Sequence, residues 1–180
     1  MNVILLAAMI GIIALLVLCV VSLFWFGGLL LPIFYRGGPF VPTSTQTVKH
    51  MVALAKLTAE DHVADLGSGD GRLLFAAIQA GAKSAHGYEI HPILVMYSNL
   101  LARLKRIQDK AHTFKQSFWD ADMTQYNVVL LYQLPKPMQA LSQKLQRELP
   151  HGARIVVHAF PFDDWEPVLT EGKIYVYEKK

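Results

Sequence analysis

Apolar residues crowd the front of the chain and alternate with polar ones behind it. From Val3 to Phe26 the sequence runs VILLAAMIGIIALLVLCVVSLFWF, moderated only by Gly11, Cys19 and Ser22. A run without a polar face predicts a helix that is apolar all round. At 1.5 Å per residue that helix is about 36 Å long, enough to cross a ~30 Å hydrocarbon layer with some tilt. Trp25 and Phe26 close it where an aromatic belt belongs. GGLLLPIF prolongs the apolar stretch to Phe34. Gly27, Gly28 and Pro32 are expected to break the helix there, leaving residues 29–34 as an interfacial segment.

Residues 35–44 hold two glycines and two prolines and read as a linker to a folded domain over 45–180. Ser44 or Thr45 can cap a helix whose apolar face is Val48, Met51, Val52, Leu54 and Ala55. HVADL (62–66) reads as a short buried strand, and GRLLFAAIQAGA as a helix closed by Gly81. SAHGYEI is a second strand, followed by a helix with Pro92 in its first turn. AHTFKQ is a third strand and YNVVLLYQL (126–134) a fourth. A helix over KPMQALSQKLQREL leads to a fifth strand, ARIVVHAF. DWEPVLTEG and KIYVYEKK read as a closing hairpin. Alternating strands and helices predict a doubly wound, mostly parallel α/β sheet of seven strands, Rossmann-like, behind an N-terminal transmembrane helix. The last two strands have no helix between them, which predicts an antiparallel edge.

Composition adds exclusions. The chain has 180 residues, 53% of them hydrophobic, and a formal net charge of +3. None of the charged residues lies in 1–34, so residues 35–180 form an ordinary mixed sequence long enough for a core of its own. The front lacks the basic n-region and the A-x-A-like site of a cleaved signal, so it reads as a retained anchor spanning once. The first charges after it, Arg36, Lys49 and Lys56, are basic and place the domain on the cytoplasmic side, in a bacterial inner membrane or a mitochondrial membrane. Cys19 is the only cysteine, so no disulfide forms within the chain. The histidines show no metal-ligand pairing, and no basic-aromatic stripe points to nucleic acid; neither partner is expected.

The candidate chemistry lies in VADLGSGDGR. Glycine inside regular structure costs roughly 0.5–1 kcal/mol relative to alanine, so Gly67, Gly69 and Gly71 together need a sharp turn or a close approach. They follow the first strand, where doubly wound folds bind ligands at the carboxyl ends of strands. The spacing is G-x-G-x-G, and Arg72 stands where a dinucleotide fingerprint has its third glycine. Asp65 beside the loop suits a cationic ammonium rather than a pyrophosphate. Glu89, at the end of the second strand, can take both hydroxyls of a ribose. A ligand with an amino-acid end, a nucleoside end and no phosphate is implied, and S-adenosylmethionine is such a molecule.

These two motifs, with PFVPT (39–43), LYQLP (131–135), VVHAF (156–160) and WEP (165–167) in order, resemble class I S-adenosylmethionine-dependent methyltransferases. Within that class the chain is similar to a small membrane-anchored subgroup. That subgroup is related to the mitochondrial lysine methyltransferases of the ATP synthase c-ring protein and the adenine nucleotide translocase. The resemblance implies that Asp65, Gly67, Ser68, Gly69 and Gly71 line the methionine end of the cofactor, and that Asp70 caps the next helix or faces the cofactor. It implies that Glu89 holds the ribose with Ile90 beside the adenine, and that Pro42 and Thr43 close over the site. Ser117 stands where many such enzymes carry an acidic residue contacting adenine; Asp120 can substitute, and Phe118 or Trp119 can pack on the base. Tyr132, Gln133 and His158 fall where acceptors bind, with Tyr132 and His158 as the candidate catalytic residues and Trp165 as a further wall of a lysine pocket.

The function expected is therefore methyl transfer from S-adenosylmethionine to a lysine of a membrane protein. Two rivals stand beside it: transfer to a lipid or quinone, and a non-catalytic cofactor-binding adaptor at the membrane. The linker favours a target near the bilayer. Even extended at ~3.3 Å per residue, the nine residues from Arg36 to Ser44 keep the first helix within about 30 Å of the membrane.

Overall fold

The computed structural model of the chain describes residues 3–34 and 40–180. It separates into two compact units, Met1–Phe40 and Val41–Lys180. The first is helix α1, Val3–Phe34. The helix runs through Gly27, Gly28 and Pro32, so the expected break and the separate segment at 29–34 are not seen. Pro32 falls in the last turn, where its missing N–H forfeits one hydrogen bond, while Leu29, Leu30 and Leu31 before it are good helix formers. Among the described side chains none from Ala8 to Trp25 is buried. Residues 35–39 of the expected linker lie outside the described residues. Residues 41–44, assigned to the linker from sequence, belong to the second unit, and Thr43 there is buried.

In that unit Ser44 caps α2 (Thr45–Leu54), its Oγ accepting the Thr47 N–H at 3.1 Å. The elements then follow in the expected order: β1 (His62–Leu66), α3 (Arg72–Gln79), β2 (Ser84–Glu89), α4 (Pro92–Leu104), β3 (Ala111–Lys115), β4 (Val128–Leu131), α5 (Pro135–Glu148), β5 (Arg154–His158), β6 (Leu169–Glu171) and β7 (Ile174–Glu178). They form one seven-stranded sheet in the order β3-β2-β1-β4-β5-β7-β6. The first five strands are parallel, and β7 runs antiparallel to both β5 and β6.

Two strands are shorter than the pattern suggests. β4 ends at Leu131, because Gln133 turns back to bond the Leu66 carbonyl (2.6 Å) and Pro135 opens α5. The expected strand over 164–172 shrinks to Leu169–Glu171. Ahead of it Pro167 has no N–H for a ladder, and Trp165 packs on Phe162 and Tyr177.

The central strands β1, β4 and β5 are buried on both faces, so their side chains feed two cores. Val63, Val128, Leu130 and Val156 meet Met51, Leu73 and Leu74 from α2 and α3. On the other face Leu66, Val129, Leu131, Ile155 and Val157 meet Met138, Leu141 and Leu145 from α5. At the amino ends of the strands Asp61 accepts from Asn127 Nδ2 (2.9 Å) and pairs with Arg154. This end is closed by internal bonds, and the carboxyl end is left for the site.

Candidate active site

The turn after β1 is built on backbone bonds. The N–H groups of Gly67 and Ser68 both donate to the Tyr88 carbonyl on β2 (2.9 and 3.2 Å), and the Gly71 N–H donates to the Ser68 carbonyl (2.9 Å). Gly67 and Gly71 have φ of 84° and 82°, a conformation that side chains disfavour. A Cβ on Gly67 would collide with Gln133 Nε2, and one on Gly71 with Ser98 Oγ and the Phe75 ring. Both reasons for glycine, the sharp turn and the close approach, therefore operate at this loop.

Asp65, at the end of β1, and Ser68, whose Oγ lies against Gly87 of β2, carry buried polar atoms without a hydrogen-bond partner in the protein. Asp65 is 2% exposed, and its Oδ2 has no hydrogen-bond partner; the buried Ser68 Oγ has none either. Burial pushes the Asp65 carboxyl up to about 8, and the neighbouring charges of Glu89 and Asp70 add to the rise. Such a group invites a cation.

Glu89 is held ready. One carboxylate oxygen accepts the Gly69 N–H (3.0 Å) and the other the His91 N–H (2.8 Å). Each oxygen keeps a lone pair for a diol. An ammonium beside Asp65 and a ribose on Glu89 would together satisfy this cradle, so the residues present fit S-adenosylmethionine. Ile90 follows Glu89 directly, and the buried Nδ1 of His91 is also unpartnered at that end.

Asp70 sits at the start of α3, its Oδ1 accepting the backbone N–H of Arg72, the first residue of that helix (3.3 Å). Arg72 takes its carboxylate through Nε (2.9 Å) and Nη2 (2.6 Å). Burial alone would raise the Asp70 carboxyl, but the Arg72 hydrogen bonds and charge outweigh it and hold it below its usual range. Nη1 of the same Arg72 donates to the Thr43 carbonyl. Thr43 is thereby tied to the glycine loop through Arg72, a residue conspicuous in the sequence only as a missing glycine.

After β3 the Gln116 N–H bonds the Glu89 carbonyl (3.1 Å), which brings the next loop to the ribose end. Ser117 there shapes its own turn, its Oγ accepting the Trp119 N–H (3.3 Å) and its carbonyl the Asp120 N–H (3.0 Å). Phe118 is buried in the core, and Trp119 lies half-buried against it; Asp120 is exposed.

The two candidate catalytic residues come together. Leu131 pairs with Val157, so Tyr132 and His158 leave adjacent strands side by side, their rings 4.6 Å apart. His158 Nδ1 is buried without a partner. Burial, and then the charge of Lys173, lower the imidazole below its ordinary value and so favour its neutral form. His158 also lines a cavity of about 500 Å³ with His50, Glu171 and Lys173. Trp165, half-buried, packs against the core through Phe162 and Tyr177.

Known proteins resemble this chain. The family model described as the ANTKMT methyltransferase domain matches residues 65–169. The lysine N-methyltransferase of the ATP synthase C subunit from Rattus norvegicus is 36% identical over 135 residues, 75% of this chain and 62% of that protein. The chain thus spans somewhat less than two thirds of that relative. A protein-lysine N-methyltransferase of Saccharolobus islandicus (strain REY15A) is 33% identical over 130 residues, 72% of this chain and 81% of that one. Among solved structures, an RNA methyltransferase from Salinibacter ruber in complex with S-adenosyl-L-homocysteine superimposes with a TM-score of 0.72. It is 34% identical, and the match covers 77% of this chain and 92% of that one.

Proposed function

The chain belongs to the ANTKMT methyltransferase family, and from that premise we propose that it methylates a lysine amine of a membrane protein, using S-adenosylmethionine from the membrane surface. The observation that carries the reading is the buried, unpartnered Asp65 carboxylate set over the glycine turn, with Glu89 fixed by two backbone N–H groups. The names of the rat and Saccharolobus relatives support lysine as the acceptor. The apolar, unburied α1 supports anchoring at a bilayer.

S-adenosylmethionine supplies a methyl group on a sulfonium, open to direct displacement by a neutral amine. The chain's own work is to align and deprotonate. Asp65 and Ser68 orient the amino-acid end, and Glu89 and the Gly69 backbone fix the ribose. Alignment of this kind is worth up to ~7–11 kcal/mol in ideal intramolecular cases. The aromatic wall of Tyr132 favours an uncharged amine. Once desolvation beside Tyr132 has lowered the amine's own hold on its proton, the unpartnered His158 Nδ1 is available to accept it.

Radiolabelled S-adenosylmethionine incubated with the protein and host membranes tests the reading. Label is expected on lysine in a membrane protein; label confined to lipid would overturn it in favour of a lipid acceptor. Replacing His158 by Asn is expected to lower kcat by roughly 10²-fold or more and leave cofactor affinity unchanged. Unchanged kcat would remove His158 from proton transfer.

A further inference from the structure

Helix α4 is inside out. Its buried residues are Ser98 and Ala102, whereas Ile93, Met96, Tyr97, Leu100 and Leu104 are exposed, at 48%, 67%, 48%, 51% and 70%. Their spacing of three and four places all five on one face. Rotation cannot hide that face, because the opposite side is bonded to β3. Ser98 Oγ meets Thr113 Oγ1 (2.8 Å), Asn99 Nδ2 donates to the Thr113 carbonyl (2.8 Å), and the Thr113 N–H donates to Asn99 Oδ1 (2.9 Å). A soluble surface seldom carries so continuous an apolar stripe without a partner.

Charge and size identify the partner. From Pro92 to Ala102 the helix has no charged residue, and the next charges along the chain, Arg103, Lys105 and Arg106, are all cationic and exposed. An apolar face with a basic end is the pattern of a helix lying in the interface of an anionic bilayer. A second copy of the chain fits less well. Thirteen residues at 1.5 Å make a face ~20 Å long and ~10 Å wide, well short of the ~800 Å² per partner of a stable interface.

We propose that the outward face of α4 rests in the headgroup region of an anionic membrane. This rests on the reading that the protein is membrane-anchored, though not on the identity of the methyl acceptor. α4 begins just after Glu89, so seating it brings the ribose end of the cofactor site to the lipid surface and fixes the orientation from which an acceptor is met.

The test uses the full chain in vesicles. Cys19→Ser removes the only thiol, and Met96→Cys or Leu100→Cys then carries an NBD label, with Gln139→Cys on α5 as control. In vesicles containing phosphatidylglycerol, labels at 96 and 100 are expected to shift to the blue and lose intensity to doxyl-labelled lipid, while the label at 139 stays aqueous. Labels at 96 and 100 that stay aqueous, in protein that floats with the vesicles, overturn the docking of α4 and spare the anchor. A blue shift without doxyl quenching overturns it in favour of a second copy. Equal quenching in pure phosphatidylcholine overturns the anionic requirement. Failure to float overturns anchoring and docking together.

Discussion

Asp65 holds a proton that its ligand must displace. Its folded value of about 8 lies above the usual 3.8, so the folded state binds the proton more tightly than the unfolded chain. The penalty is absent below the unfolded value and grows as pH rises toward the folded one, so this group destabilises the empty protein near neutrality. Asp65→Asn is expected to raise the thermal midpoint at pH 7.5 by several degrees, since the amide carries no charge to bury, and to cost at least ~10²-fold in cofactor affinity. Calorimetric titration and a melting curve read both; a variant that binds normally would place the ammonium elsewhere. Wild-type affinity is expected to fall as pH drops below about 8, because binding then releases a proton. The positions of Asp65 and the glycines at the turn between β1 and α3, and of Glu89 at the end of β2, were legible in the sequence because each is set by local pattern. The Gln133 bond to Leu66 and the Arg72 bridge from Asp70 to Thr43 were not, since they join residues far apart in the chain that only the folded sheet brings together.

The elements were legible wherever periodicity and caps agreed. Ser44, Gly81 and Pro92 stand at the helix ends where their chemistry puts them, and the missing last helix correctly announced the antiparallel β7. The misses were local conflicts settled by context: α1 runs on through Pro32 despite the hydrogen bond forfeited there, and ahead of β6 Pro167 withholds a ladder donor while Trp165 packs against the core. The junction of turn and α3 carries a sharper prediction. Gly71 is the N-cap of α3 at positive φ, with Ser98 Oγ against the place a Cβ would take. Gly71→Ala is expected to destabilise the domain by about 2 kcal/mol or more in urea unfolding. Adding Ser98→Gly should recover only part of that, because it removes the Ser98 collision and leaves the Phe75 contact and the strain. Full recovery would mean that the backbone tolerates the conformation.

For the whole molecule the question is what the apolar helix α1 contributes. The unit Val41–Lys180 contains both cores and the full cofactor cradle, so deleting residues 1–34 is expected to leave cofactor affinity unchanged. Methylation in membranes should fall sharply, because tethering supplies the local concentration of targets. Equal rates with and without the anchor would assign it no part in substrate encounter. The strand order has a consequence for how the chain acquires its shape during synthesis. β1 is flanked by β2, its near neighbour in the chain, and by β4, which is made only after α4 and β3. The half that carries the glycine turn, β1 through β3, is thus ready to assemble first. One side of β1 then stays open until Val128 arrives to pair with Val63. Parallel pairings of this long-range kind form slowly. An apolar strand edge is exposed meanwhile, and early insertion of α1 would hold the nascent chain at a surface, apart from its copies, while that edge waits.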